Sequence, residues 1–210
     1  MQVAAIIPVK RFSNAKTRLG LPQEKTELFC KIMLDEVLST VSQSQKINKI
    51  ILVSNDESAL EMGKKHNTVS IFEEKERGVN AAVALAEKYL LENGFETSVV
   101  FPQDIPLMQP VDIDNLFAFQ KNTKSLLIVP SRKFDGTNAL VRTPVDIIET
   151  HYDEDSYKIH LSTGKLRGIP TSFVLIHRIM WDVDDRSDIG YVMNSIEKPQ
   201  IGDKLRKILE

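Results

Sequence analysis

The stretch VAAIIPVKRFSNAKTRLG, residues 3–20, decides the expected fold. Its first seven residues form a continuous apolar run, which is typical of a strand buried on both faces of a parallel sheet. The run opens into a polar loop, and apolar residues then recur at helical spacing from Glu24 to Val41. A buried strand, a polar loop and a long amphipathic helix predict the first unit of an α/β domain.

The same alternation continues to Pro110 and predicts a mostly parallel sheet flanked by helices, with ligands at the carboxyl ends of its strands. The further strands are expected at 49–55, 68–72, 98–101, 125–131 and 138–144, the last running back, and the further helices at 57–66, 78–93, 112–121 and 185–195. Residues 147–167 show less regularity, residues 172–184 predict a strand that ends in acids, and a polar tail is expected after Ser195.

Composition limits the class of protein. A chain of 210 residues with 42% hydrophobic residues predicts one domain over 1–210. A net charge of −2 gives no global basic field, so a nucleic-acid partner is not expected. A single cysteine, Cys30, excludes an internal disulfide framework and favours the cytoplasm. No apolar run approaches the roughly 20 residues of a membrane span, so no membrane partner is expected either.

The loop after the first strand carries four cations in nine positions, Lys10, Arg11, Lys16 and Arg18. At the end of a parallel strand these cations could neutralise a triphosphate while backbone N–H groups approach it. The alternative is a solvated basic loop. Neither GxxxxGK[ST] nor GxGxxG occurs, which disfavours a P-loop NTPase and a dinucleotide-binding dehydrogenase.

Acidic residues follow two of the expected strands. Asp104 comes directly after VVFPQ, and Asp182 and Asp184 alternate in IMWDVDDRSD, so they would point the same way from an extended chain. Three carboxylates at one sheet edge could hold Mg²⁺, which prefers oxygen ligands. The alternatives are a solvated acidic turn and a helix N-cap at Asp184 or Asp185.

A third group of polar residues lies in the second half of the chain. Thr137 and Asn138 follow Gly136, and Ser156 and His160 are four residues apart and face one way if helical. A Ser-His pair could indicate a hydrolase, but no GxSxG element is present. In GVNAA, Asn80 is either a helix cap or a contact to a nucleobase or ribose.

Taken in order, IIPVKRFSNAKTRLG, GVNAAV, FPQDIPL, GTNAL, SYKIH and WDVDD resemble the phospholactate guanylyltransferase family of the deazaflavin-coenzyme (F420) pathway. The resemblance implies a GT-A nucleotidyltransferase fold with an inserted β-hairpin, at about residues 134–167, that binds substrate and serves homodimerisation. It implies transfer of GMP from GTP to 2-phospho-L-lactate or phosphoenolpyruvate, with release of pyrophosphate.

The resemblance also implies roles for individual residues. Lys16 and Arg18 would act on the triphosphate, and Asp104 would be the principal Mg²⁺ ligand, with Asp182 and Asp184. The residues implied to bind the nucleotide or the phosphorylated three-carbon acid are Pro8, Lys10, Asn80, Pro102, Thr137, Asn138, Ser156 and His160. The family pattern FGxxSFxxH has Asp153 in place of its glycine here.

Three other functions remain open at this point. A sugar-phosphate or molybdenum-cofactor nucleotidyltransferase would use the same cationic loop and Asp104. A nucleotide-sensing regulatory domain would use the acids only to stabilise turns, and a hydrolase would release free nucleotide.

Overall fold

The computed structural model describes residues 1–153 and 155–209, except the side chains of Asn14 and Thr17. The strands are β1 (Val3–Val9), β2 (Lys49–Ser54), β3 (Val69–Phe72), β4 (Thr97–Val100), β5 (Ser125–Pro130), β6 (Thr137–Thr143) and β7 (Thr171–Phe173). The helices are α1 (Gln23–Ser42), α2 (Glu57–Lys64), α3 (Val79–Glu92), α4 (Pro110–Phe117), α5 (Ser156–Leu166), α6 (His177–Met180), α7 (Arg186–Met193) and α8 (Pro199–Leu209). None of the described helices has the length and apolar character needed to cross a membrane.

These strands form one seven-stranded sheet in the order β3-β2-β1-β4-β6-β5-β7. β1 pairs in parallel with β2 and β4, whereas β6 is antiparallel to both of its neighbours. Alternate residues of β1 enter different core clusters: Ala5 and Ile7 pack in one and Ala4 and Ile6 in the other. The predicted mostly parallel α/β sheet, with its first strand buried on both faces, is confirmed.

Strands β5 and β6 form an antiparallel hairpin that lies inside the main sheet. Every residue of both strands is buried, because helices and loops cover both faces of this part of the sheet. Residues 134–167 were expected to form an inserted hairpin. Their described part instead supplies β6 to the sheet and α5 to a covering layer.

Helix α5 lies in the region that the sequence predicted to be irregular. Its N-cap residue, Asp155, has a left-handed backbone with φ 57°. Gly164 lets the helix approach the sheet, because a Cβ there would meet the side chains of Thr171 and Leu126. The 3.6-residue pattern is weak here because this helix buries only Ser156, His160 and Gly164.

The C-terminal region differs from its prediction in two ways. The strand expected over 172–184 is β7 followed by the short helix α6, and the expected polar tail is helix α8. Ile201 and Leu205 of α8 are fully buried in the main core cluster. Just before α8, the Lys198 ammonium donates to Glu36 of α1 over 2.9 Å. Ile201, Leu205, Ile208 and Leu209 recur at helical spacing, so the sequence did carry a signal for this helix, and the prediction of a polar tail overlooked it among the charged neighbours.

Candidate active site

A cavity of about 390 Å³ opens at the carboxyl ends of β1 and β4, the sheet edge at which the sequence predicted ligand binding. It lies between the loop after β1, the turn after β4, the start of α3 and the start of β6. The lining residues are Pro8, Lys10, Ala15, Lys16, Arg18, Val79, Val100, Pro102, Gln103, Asp104, Thr137, Tyr152 and Asp184.

The loop after β1 is shaped by two 3-10 turns, Phe12–Asn14 and Thr17–Leu19. Phe12 and Leu19 are buried in the core and fix the two turns, and the Phe12 N–H donates to the Asp56 carboxylate over 3.1 Å. Between the turns, Lys16 has a left-handed backbone with φ 54°, a conformation that costs a non-glycine residue free energy. The loop therefore holds Lys16 in one defined place.

The Lys16 ammonium lies between two carboxylates. Its Nζ is 2.5 Å from Asp104 Oδ2 and 2.9 Å from Asp184 Oδ1. Burial acts against the charge of Lys16, but the two carboxylates outweigh it and raise the pKa of the lysine above its ordinary value. Lys16 is consequently a fixed cation at the centre of the site.

The three predicted acids converge. The Val183 N–H donates to the Asp104 carbonyl over 2.9 Å, which ties the 182–184 segment to the turn after β4. Val183 is buried in the core, so Asp182 and Asp184 project from the other side of the extended chain. Burial first, and then the charges of Asp104 and Asp184, raise the pKa of Asp182 to about 6. Such crowding of carboxylates attracts a cation.

The helix-cap alternative applies to Asp185 and not to Asp184. The Asp185 side chain accepts from the N–H groups of Ser187 and Asp188 and so caps α7. Asp184 instead lines the cavity and pairs with Lys16.

The acids fit an oxygen-bound divalent cation in their chemistry. Asp104 Oδ1 is buried and has no hydrogen-bond partner within the described residues, and the oxygens of Asp184 and Asp182 lie nearby. In the part of the chain that the structure describes, no three His, Cys, Asp or Glu side chains are spaced to hold a metal ion as they stand. Lys16 lies between two of these acids, so a cation would share them with it.

On the opposite wall, Thr137 is backed by buried polar side chains. The Ser156 hydroxyl donates to Thr137 Oγ1 over 3.0 Å, and His160 Nδ1 lies 3.1 Å from the same oxygen. His160 Nε2 accepts from the His151 N–H over 3.0 Å. Thr137 lines the cavity, whereas Ser156 and His160 lie behind it.

Comparison with known proteins assigns the chain to a family. The family model described as "Guanylyl transferase CofC like" matches residues 3–209. The chain belongs to this family. It is 28% identical over 192 residues to a phosphoenolpyruvate guanylyltransferase of Sphaerobacter thermophilus, covering 90% of this chain and 91% of that protein. It is 28% identical over 210 residues to a 2-phospho-L-lactate guanylyltransferase of Methanothermobacter thermautotrophicus, covering 99% and 92%.

A solved structure supports the fold. A nucleotidyl transferase from Methanothermobacter thermautotrophicus superposes with a TM-score of 0.68 at 11% sequence identity, covering 98% of this chain and 99% of that one. The resemblance to guanylyltransferases drawn from the sequence motifs is therefore confirmed by the family match, and the α/β architecture by the superposition.

In this CofC-like chain, not every predicted site residue lines the cavity. Eight do: Pro8, Lys10, Lys16, Arg18, Pro102, Asp104, Thr137 and Asp184. Asn138 follows Thr137 on β6 and points to the opposite side, where its amide donates to Asp182 Oδ1 and to the Ile179 carbonyl, each over 3.1 Å. Asn138 therefore orients an acid instead of lining the wall with Thr137.

Asn80 is also placed differently from its prediction. Its Oδ1 accepts from the Tyr152 N–H over 2.8 Å, so it links α3 to the loop before α5. Asn80 is the second residue of α3, whose N-cap is Gly78, and Val79 is the residue there that lines the cavity. The Asn80 side chain thus positions Tyr152.

Sequence reasoning missed two polar residues of the cavity. Tyr152 and Gln103 both line it. The Tyr152 hydroxyl and Gln103 Oε1 are buried, and neither atom has a hydrogen-bond partner within residues 1–153 and 155–209. Tyr152 occupies the first aromatic position of FGxxSFxxH, and Gln103 directly precedes Asp104. Their positions next to predicted site residues could therefore have identified both.

Proposed function

We propose that this protein transfers GMP from GTP to a phosphorylated three-carbon acid and releases pyrophosphate, a step of F420 biosynthesis. The observation that carries the proposal is the cavity itself. Lys10, Lys16 and Arg18 line one side of it, and Asp104 and Asp184 stand beside Lys16. The relatives named as phosphoenolpyruvate and 2-phospho-L-lactate guanylyltransferases support the choice of GTP and of a phosphoacid.

The chemistry is an attack by the acceptor's phosphate oxygen on the α-phosphorus of GTP. A new P–O bond forms, the bond from the α-phosphorus to the bridging oxygen breaks, and pyrophosphate leaves with that electron pair. An ionised phosphate has no proton to lose, so the step requires no general base. Catalysis then depends on holding two anions together and stabilising the charge that moves to the leaving group.

The cations of the loop after β1 would bind the triphosphate and stabilise the charge on the leaving pyrophosphate. Arg18 is exposed at the cavity mouth and Lys10 lies at the end of β1, so both can reach a triphosphate that enters from solvent. Lys16 is the deepest cation and would move from the carboxylates to the α-phosphate and the leaving group. Its three rotatable donors suit an exchange between carboxylate and phosphate oxygens.

Mg²⁺ is proposed as the cofactor, with Asp104 and Asp184 as its ligands and Asp182 beside them. When bound, the ion would neutralise phosphate charge and orient the triphosphate. Asn138 would hold Asp182 through its 3.1 Å hydrogen bond, so that the carboxylate keeps one orientation.

The phosphorylated acid is proposed to bind at the Thr137 wall, next to Tyr152. Asp153, which replaces the family glycine, is exposed on the loop before α5. An additional carboxylate there would repel an anionic acceptor, so we expect a weaker affinity for the acid than in a variant that restores glycine.

The decisive experiment incubates the protein with each NTP and each phosphoacid in Mg²⁺ and identifies the product by mass. The expected product joins GMP to 2-phospho-L-lactate or phosphoenolpyruvate, with one pyrophosphate for each product molecule. Failure to release pyrophosphate with any pair would overturn the proposal, and free GMP as the only nucleotide product would indicate a hydrolase.

A cytoplasmic homodimer stays a prediction of the family resemblance. Phe134, Tyr157 and Phe173 form an aromatic cluster beside the edge strand β7, with ring centroids 5.7–6.3 Å apart. Phe134 and Phe173 are exposed, so this cluster is where we propose that a second copy packs. Light scattering of the protein and of a Phe173→Ser variant tests it: a monomeric wild-type protein would contradict the proposal.

A further inference from the structure

Thr137, Ser156 and His160 form a buried cluster that reaches the cavity through one hydroxyl group. The exposed fractions of the three residues are 6%, 2% and 0%. Among them, Thr137 lines the cavity. Whatever Ser156 and His160 contribute to ligand binding must therefore pass through Thr137.

The backbone fixes the position of the proton on His160. Because the backbone N–H of His151 donates to His160 Nε2, that nitrogen uses its lone pair and carries no proton. A neutral imidazole has one N–H, so it lies on Nδ1 and donates to Thr137 Oγ1. Burial, assisted by the charges of His151 and Arg142, lowers the pKa of His160 to about 4, which keeps the ring neutral near pH 7.

The Thr137 hydroxyl can act toward a ligand only as a hydrogen-bond donor. Its oxygen accepts from Ser156 Oγ and from His160 Nδ1, which uses both lone pairs. Within residues 1–153 and 155–209, no hydrogen bond takes the hydroxyl proton of Thr137. The side chain lines the cavity, so its O–H is available to an acceptor atom of a ligand.

We propose that His160 is a positioning residue that, with Ser156, commits the Thr137 hydroxyl to donate a hydrogen bond to an anionic oxygen of the second substrate. The inference rests on the proposed function, because it assigns the acceptor acid to this wall. It gives His160 a part in recognising the acid without contact to substrate and without proton transfer.

Two variants separate the two nitrogens of His160. Asparagine places an amide near the position of Nδ1, so His160→Asn can keep the donor to Thr137 and lose the acceptor for His151. Glutamine reaches the position of Nε2, so His160→Gln can keep the acceptor for His151 and lose the donor. The proposal predicts that His160→Gln raises the KM for the acid about ten- to hundredfold. The KM of His160→Asn for the acid should stay much closer to that of the wild-type protein.

The KM for GTP should stay unchanged in both variants. A matched control is His66→Gln, since His66 pairs with Asp35 at 3.1 Å and does not line the cavity. Thr137→Val should raise the KM for the acid as His160→Gln does, and Thr137→Ser, which keeps the hydroxyl, should have a lower KM for the acid than Thr137→Val. Equal effects of the two His160 variants, or parallel changes in both KM values, would identify a merely structural role and overturn the proposal.

Two measurements on the protein do not depend on turnover. Nitrogen NMR of the histidine-labelled protein should show His160 protonated at Nδ1 alone; an Nε2–H tautomer would overturn the proposal.

Calorimetry should show weaker binding of phosphoenolpyruvate by Thr137→Val. If the variant also binds inorganic phosphate more weakly, the Thr137 hydroxyl donates to the phosphate group. If only the affinity for phosphoenolpyruvate falls, the hydroxyl donates to the carboxylate. An unchanged affinity for both ligands would contradict the proposal. Absent turnover with any substrate pair would instead count against the proposed function alone.

Discussion

Lys16 Nζ lies 2.5 Å from Asp104 Oδ2, so the deepest cation of the cavity is paired with the acid at its centre. The partly buried Asp184 carboxylate lies 2.9 Å from the same nitrogen. Burial acts to raise the pKa of Asp184, but Lys16, together with Lys133 and Arg18, outweighs it and holds the pKa below the ordinary value. Lys16 thus offsets part of the negative charge of these acids. On the proposed function, a divalent cation would compete with Lys16 for these oxygens, and a triphosphate would compete with the carboxylates for Lys16.

Replacing Lys16 by Met should therefore change two properties in opposite directions. We expect the turnover number to fall about 10²- to 10³-fold, because one fixed donor to the phosphates is lost. We expect Mn²⁺, without nucleotide, to bind about tenfold more tightly, because a competing charge is removed from the two carboxylates. Steady-state kinetics and titration of Mn²⁺ by electron paramagnetic resonance measure the two effects.

Lys133→Met is the matched control for this experiment. Lys133 Nζ is 3.6 Å from Asp184 Oδ2, but its side chain is 39% exposed and it is not among the cavity-lining residues. Its removal should change Mn²⁺ affinity by less than threefold, because solvent screens the charge. Weaker Mn²⁺ binding by Lys16→Met would contradict the competition between lysine and metal.

Asp104→Asn should abolish pyrophosphate release while the protein stays folded. The substitution removes the charge that pairs with Lys16 and the buried oxygen, Oδ1, that lacks a partner in the described residues. Asp185→Ala is the matched control, since Asp185 is a neighbouring acid that caps α7. That variant should lose about 1 kcal/mol of stability and keep its turnover. Unchanged pyrophosphate release by Asp104→Asn would overturn the assignment of the acid.

His160 should make the protein sensitive to acid. Its pKa is lowered from 6.5 to about 4 in the folded protein, so between these values the unfolded chain binds a proton that the folded chain does not. The free energy of unfolding should therefore fall as the pH is lowered through this window, by about 3 kcal/mol from this residue. Urea unfolding of wild type and His160→Gln at several pH values measures it. The variant should show the shallower decline, and parallel curves would refute the assignment.

Gly202→Ala tests the packing of the C-terminal helix. A Cβ at this position of α8 would meet the backbone carbonyl of Met193 at the end of α7, and that carbonyl cannot move without distorting the helix. We expect a loss of about 1–3 kcal/mol of stability, measured by thermal unfolding. In Gly190→Ala of α7 the new Cβ meets nothing within 4 Å, so that variant should be as stable as wild type or more stable. A neutral Gly202→Ala would show that the two helices do not pack this closely.

The first half of the fold was predictable because its signals are local and strong. The apolar run of β1 and the long periodic pattern of α1 each specify one element, and both occur within two residues of the prediction. Helices α5 and α8 were missed for different reasons. Helix α5 buries only three residues, two of them polar and one a glycine, so tertiary packing selects it more than its own pattern does. Helix α8 has apolar residues at helical spacing, and the prediction of a polar tail gave more weight to its charged residues than to that pattern.

The site was predictable where chain position alone brings residues to one edge of the sheet. Lys16 and Asp104 follow neighbouring strands, so their meeting was implied by topology. Asn138 was grouped with Thr137 because the two are adjacent, yet neighbouring strand residues face opposite ways. The link from Asn80 to Tyr152 spans 72 residues, and no local pattern encodes it.

The most direct test of guanylyl transfer follows the oxygen atoms. The protein is given GTP, Mg²⁺ and phosphoenolpyruvate or 2-phospho-L-lactate whose phosphate carries heavy oxygen, and the nucleotide product is analysed by mass spectrometry. Attack by the acceptor's phosphate predicts one product in which GMP is joined to the acid and every labelled oxygen is retained. Unlabelled free GMP, or a product that has lost labelled oxygen, would contradict the account.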